Sequence, residues 1–229
     1  MLKKLVASLS LGIAVGTKAQ AVSYSPYKDE AANTIYNLLF CDDLALYKAK
    51  QKEPNEGPWK ILFANPKDVK ALQGLASNPS AESRLRILAF KALGKNTVTT
   101  QRKELLGIVI EVGLDGGLDT LAAYRDSRAR YINQSGKMLF WEANDAKVEE
   151  KIKKLFSAGD KVVGKIGPWD KSRLPPPAKA LMRMTFLVND AIFFGQGPME
   201  ALQRDPLGGS VVASATELLM ELTSRAATK

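Results

Sequence analysis

From Leu106 to Glu142 the chain alternates strand-like stretches with connections of two or three residues, and that spacing constrains the fold more than any other feature. Leu106 to Leu114 carries Ile108, Ile110 and Val112 on one face at a period of two. Asp115-Gly116-Gly117 supplies a tight turn, and Leu118 to Arg125 returns as a second strand. Asp126-Ser127 turns again. Arg128 to Asn133 and Lys137 to Glu142 follow as two more strands, joined by Gln134-Ser135-Gly136. Connections this short cannot carry a crossover, so the neighbours run antiparallel and form a four-strand meander.

Helical patterns flank this region. Val22 to Tyr27 reads as a short exposed lead. Asp29 to Lys50 has a wide apolar arc that includes Ile35, Leu38, Leu39 and Leu46, and predicts one buried helix with Cys41 inside it. Two further helices are each introduced by Asn-Pro, with Asn65 and Asn78 as caps and Pro66 and Pro79 as first helical residues. After the meander, Asn144 caps a helix from Asp145 to Phe156. Met182 to Val188, Asn189-Asp190 and Ala191 to Gly195 form a last hairpin, and a terminal helix carries Val211, Ala215, Leu218 and Leu222 inward. Helices followed by ββββαββα give an α+β fold, an N-terminal helical hairpin region and then an antiparallel sheet with helices packed on it. The expected division is an export signal at 1–21, a helical subdomain at 22–97 and an antiparallel α+β domain at 98–229.

The expected signal rests on three parts: Lys3 and Lys4 as a positive head, Leu5 to Gly16 as a short apolar run, and the small residues Ala19 and Ala21 before the cleavage point. The run is too short for a membrane-spanning helix, which needs about 20 apolar residues, so no stable membrane anchor is expected. A periplasmic or secreted location follows, with a cytoplasmic one as the alternative. The segment holds three lysines and no acid, so cleavage takes the net charge from +9 to +6.

The sequence of 229 residues contains no histidine and one cysteine. The first fact removes Ser-His-Asp and Cys-His catalysis and nearly every transition-metal site. The second removes an intramolecular disulfide, which a domain with 45% hydrophobic residues does not need. No cofactor and no metal is expected.

Three groups of residues remain as candidate sites. Glu111, Asp115 and Asp119, around Gly116-Gly117, are oxygen donors that could hold a divalent ion or serve a carboxylate-dependent hydrolase, with Glu142 as a possible second acid. Tight-hairpin chemistry explains the same residues. Tyr124, Arg125, Arg128, Arg130, Tyr131 and Lys137 interleave bases and aromatics as a nucleic-acid surface does, but alternation puts Arg130 and Tyr131 on opposite faces. Nucleic acid is therefore not the expected partner.

The third group lies in the irregular stretch from Gly164 to Lys179, where Gly167-Pro168-Trp169 precedes Pro175-Pro176-Pro177. Triple proline favours a stiff, exposed backbone, and Gly57-Pro58-Trp59 repeats the Gly-Pro-Trp signal. Trp169, Pro175, Pro176, Pro177 and Trp59 are the residues expected to meet a protein partner. Lys147, Lys151 and Lys154 read as a solvated face paired with Glu149 and Glu150. Gly195-Gln196-Gly197-Pro198 lacks the lysine and hydroxyl of a phosphate loop. The reading is an exported, non-enzymatic binding or scaffold protein. A carboxylate- or divalent-ion-dependent hydrolase and a cytosolic protein-interaction module are the alternatives.

Overall fold

A computed structural model describes residues 22–94, 103–142, 145–189 and 191–226. The expected signal with Ala19 and Ala21, the cap Asn144 and the turn residue Asp190 lie outside the described residues. The elements run α1 (Glu30–Leu38), α2 (Leu44–Lys50), α3 (Gly57–Leu62), α4 (Val69–Ser77), α5 (Ser83–Leu93), β1 (Leu105–Leu114), β2 (Gly117–Tyr124), β3 (Ala129–Ile132), β4 (Met138–Trp141), α6 (Ala146–Val163), β5 (Leu181–Val188), β6 (Ile192–Pro198), α7 (Met199–Arg204) and α8 (Gly208–Ala226). The strands form one sheet, ordered β4-β3-β2-β1-β5-β6 and antiparallel throughout. The fold is α+β.

The meander forms as its turn residues dictate, and β5 pairs with β1 so that Glu111 stands opposite Arg183. Both sheet faces are covered. Leu106, Val109, Leu118, Ala122 and Tyr124 pack under the N-terminal helices, whereas Ile108, Ile110, Ala123, Met184 and Phe186 pack under α6 and α8. Double coverage explains why β1 is buried on nearly every residue and shows only weak alternation. Among the described residues no helix is long and apolar enough to cross a membrane.

Several local expectations are corrected, each by a competing cap or contact. The single helix from Asp29 to Lys50 is two helices. The chain breaks at Cys41, whose φ is 50°, and the Asp43 carboxylate restarts the helix by accepting from the Leu46 N–H at 2.9 Å. The Val22–Tyr27 lead is not free of the fold: Tyr27 is buried and its hydroxyl meets Thr120 Oγ1 at 2.8 Å. Asn65 caps nothing, because α4 starts at Val69 with Asp68 accepting from the Ala71 N–H at 2.9 Å. Asn78 ends α4 instead of starting α5.

The α5 N-terminus takes its partner from across the fold. The Ser83 N–H donates to Asp126 Oδ2 at 2.8 Å, and the Asp126 N–H donates to Ser83 Oγ at 3.1 Å. Helix α6 continues past Phe156 to Val163 because Val162 and Val163 are buried beneath it. It begins at the Asp145 cap, whose carboxylate accepts from the Lys147 and Val148 N–H groups. Lys151 and Lys154 pair with Glu217 on α8, at 3.0 and 2.7 Å, and so link the two helices of that layer.

One contact fixes where the 164–180 loop rejoins the sheet. The Ala180 N–H donates to the Gly113 carbonyl at 2.9 Å, and a Cβ built at Gly113 would lie 2.1 Å from the Ala178 carbonyl oxygen. Backbone cannot yield as a flexible side chain does. Gly113→Ala is expected to destabilise the fold by about 1–3 kcal/mol, the range for overpacking, read as a lowered urea midpoint with an unchanged slope.

Candidate functional site

The residues with unusual environments converge where the N-terminal helices, the β1–β5 pair and the 164–180 loop meet. Glu111 sits mid-β1 on the face below α1 and is fully buried. Its Oε1 accepts from the Tyr36 hydroxyl at 2.7 Å, and its Oε2 lies 3.5 Å from Arg183 Nη1. Arg183 is itself buried. Its Nε donates to Gln196 Oε1 at 2.8 Å, its Nη1 to the Leu174 carbonyl at 3.1 Å and its Nη2 to the Pro175 carbonyl at 2.5 Å. A cross-strand charge pair thus holds the start of the triple-proline segment through its main chain.

Arg173, the residue before Leu174, anchors the loop from within. Its Nε donates to Asp42 Oδ2 at 2.9 Å, and its Nη2 donates to the Val22 carbonyl at 2.8 Å and to Asn37 Oδ1 at 3.1 Å. The guanidinium carbon lies 4.0 Å from the Phe40 ring centroid and within cation–π range of Tyr24 and Tyr36. Asp42 Oδ1, Glu111 Oε2 and Arg173 Nη1 are buried and have no hydrogen-bond partner among the described residues.

These environments shift the titrations in the directions burial requires. Loss of water raises the Glu111 carboxyl above its usual range, against the Tyr36 hydrogen bond and the two arginines, which pull it down. The Tyr36 hydroxyl is raised by burial and by the neighbouring carboxylate. Burial likewise pushes the Cys41 thiol up to about 12, which makes it a core residue and not a reactive one.

The loop residues are only partly presented. The Trp169 N–H donates to the Ile192 carbonyl at 2.7 Å, and its indole N–H donates to the Ser172 carbonyl at 2.9 Å. Its ring meets Phe194 edge-on at 4.9 Å. Pro175 is exposed, Pro176 half-buried and Pro177 buried. A narrow slot of about 10 Å³ lies between this loop and β5–β6, lined by Trp169, Arg173, Arg183, Thr185 and Phe194. Trp59 is remote from it. Gly57-Pro58-Trp59 opens the short helix α3, and Trp59 stacks between Tyr47 and Phe63. The two Gly-Pro-Trp signals therefore have different structures.

The acidic residues do not share a site. Glu111 pairs with Thr120 and Asp119 pairs with Val112, so Glu111 and Asp119 point to opposite faces of the sheet. Asp115 is 80% exposed at the hairpin tip and pairs with Lys179. Asp119 accepts from the Tyr131 hydroxyl at 2.8 Å and from the Gln134 N–H at 2.7 Å. Glu142 accepts from Arg130 at 2.5 Å and from Arg128 at 3.2 Å. Among the described residues no three acidic or cysteine side chains come close enough to hold a metal ion. Arg125 is also engaged, with Asp160 at 2.9 Å beside an open cleft of about 400 Å³ over Ile152 and Phe156.

Sequence reasoning missed Arg173, Arg183, Tyr36 and Asp42. The signal for one of them was present: Arg183, like Glu111, is a charged residue within a largely apolar strand at a position that must face inward. Neither a family model nor a curated protein nor a solved structure matches this chain.

The pH dependence of stability follows from Glu111. Its folded-state affinity for a proton exceeds that of the unfolded chain, so its contribution is most favourable at acid pH and declines as the pH rises above about 4.5. Glu111→Gln keeps an acceptor for Tyr36 and removes this titration. The melting temperature of the variant relative to the wild type should therefore rise with pH across that window. A difference that is flat, or that falls with pH, would refute the assignment.

Proposed function

We propose that this chain is an exported, non-enzymatic binding or scaffold protein that meets a protein partner through the Trp169–Pro177 loop. The observation that carries this reading is the anchoring of that loop. Arg183 takes the carbonyls of Leu174 and Pro175, Arg173 ties the preceding residues to Val22, Asn37 and Asp42, and Trp169 bridges to Ile192. A long irregular segment held in this way is preorganised, so little ordering entropy is lost when its exposed edge meets a partner. The carboxylates that could serve hydrolysis are instead committed to internal partners or stand apart on separate faces.

Capture from extracts of the producing organism tests the loop. Pro175→Ala changes an exposed side chain and leaves the anchored carbonyl in place, and Trp169→Ala removes the ring. Both are expected to lose at least tenfold of the captured partner, with the circular dichroism of Pro175→Ala unchanged. Undiminished capture by both variants would reject the loop as the contact.

N-terminal sequencing of the protein made in its own host tests export. A mature chain starting at Val22 is expected, and a chain that retains Met1 in the cytoplasmic fraction would overturn it.

A further inference from the structure

The cleft on the flank of α6 lies apart from the 164–180 loop and from the buried charge pairs. Its volume is about 400 Å³, and Arg125, the residue after β2, shares it with Lys153, Ser157, Asp160 and Lys161 of the helix. Small-molecule sites span about 300–1,000 Å³. The helical residues recur at spacings of three and four, so one side of α6 presents them together. Ile152 and Phe156, both buried, form the apolar floor. The helix is drawn down beside the cleft at Gly159, where a Cβ would lie 2.8 Å from Ile108 Cδ1.

Arg125 is fixed before any ligand arrives. Its main-chain N–H donates to the Leu106 carbonyl at 3.0 Å and its Nε to the Leu105 carbonyl at 2.9 Å. Its Nη2 donates to both Asp160 oxygens, at 2.9 and 3.0 Å, and its guanidinium carbon lies 4.5 Å from the Phe156 ring centroid. Nη1 is left without a partner among the described residues, on a side chain that is 39% exposed. The Ser157 hydroxyl and the Lys161 ammonium also have no partner among the described residues. Lys153 makes only a long contact with Glu149, at 3.6 Å, and is 76% exposed.

We infer that this cleft binds a phosphomonoester group. Three cations and one carboxylate line it, an excess of two positive charges. A phosphomonoester carries about −1.5 to −2 near neutral pH and matches that excess, whereas a carboxylate carries a single charge. Its three acceptor oxygens suit a guanidinium N–H, a hydroxyl and two ammonium groups converging from two elements. The volume leaves room for the organic part of the ester above Ile152 and Phe156.

Asp160 has two opposed effects on such a ligand. It orients the guanidinium, and it also places a negative charge inside the cleft. The Leu105 carbonyl and the Phe156 ring hold Arg125 without it, so repulsion of the ligand is the larger effect. Asp160 therefore limits the affinity. The inference does not rest on the reading of the Trp169–Pro177 loop, none of whose residues lines this cleft.

Calorimetric titration of the full chain with glycerol phosphate at low salt tests the site. Saturable binding with a Kd of about 1 mM or below is expected. Glycerate, with a carboxylate on a similar backbone, should bind more weakly. Arg125→Ala should cost roughly tenfold or more, the value of a charge-assisted hydrogen bond. Lys161→Gln, at an exposed position, should cost about two- to fivefold, as exposed charge pairs do. Asp160→Asn should tighten binding, a gain that misfolding cannot produce. Vesicles of phosphatidylcholine with phosphatidic acid carry the same group on a lipid. Retention on them that is lost in Arg125→Ala, without binding of glycerol phosphate, would assign the group to a lipid headgroup instead of a soluble ester. The inference is overturned if neither probe binds, if glycerate binds as tightly as glycerol phosphate, if Arg125→Ala and Lys161→Gln leave the affinity unchanged, or if Asp160→Asn weakens it.

Discussion

Arg173 and Arg183 hold together parts of the chain that no local pattern connects. Each is buried, and each spends its donors on main-chain carbonyls as well as on a carboxylate or amide side chain. A buried guanidinium left without partners would cost several kcal/mol, so the Val22 region, the α1–α2 break and the 164–180 loop must all be in place for these charges to be tolerated. The loop and the N-terminal segment are thereby placed by electrostatics at a seam where apolar packing alone would leave them free to shift. Glu111 opposite Arg183 extends the constraint to register. A slip of one residue between β1 and β5 would point one of these charges into the apolar layer under α6 and α8.

The strands of the meander were legible because their information is local. Asp115-Gly116-Gly117, Asp126-Ser127 and Gln134-Ser135-Gly136 each combine turn chemistry with flanking strand residues, and β1 to β4 form where those signals put them. The errors fall where distant residues decide the outcome. Asn78 reads as an N-cap, yet α5 is capped by Asp126 from the β2–β3 turn. The α1–α2 run reads as one helix because both halves are apolar toward the same core. The aspartates at 42 and 43 break it, one by pairing with Arg173 and one by capping α2. The β1–β5 pairing spans most of the α+β region, and periodicity carries no information about it.

The candidate sites were legible as residues and not as environments. Glu111, Asp115 and Asp119 look alike along the chain, but strand alternation and a hairpin tip send them to a buried layer, an exposed turn and the opposite face. Trp169 and Trp59 share the same dipeptide before them. One nevertheless becomes a bridge to β6, and the other lies in a stack of three rings inside the helical layer. Glycine and proline fix the local backbone, and the contacts each indole finds depend on chain far from it.

The two edges of the sheet frame what such a molecule can do. At β6 a loop is held by buried charges and shows exposed prolines at 168 and 175 and a half-buried tryptophan at 169. At β4 a short strand with Met138 and Phe140 exposed has no strand beside it among the described residues. The buried carboxylate of Glu111 and the guanidinium groups of Arg173 and Arg183 are spent on joining the N-terminal helices, the sheet and this loop to one another.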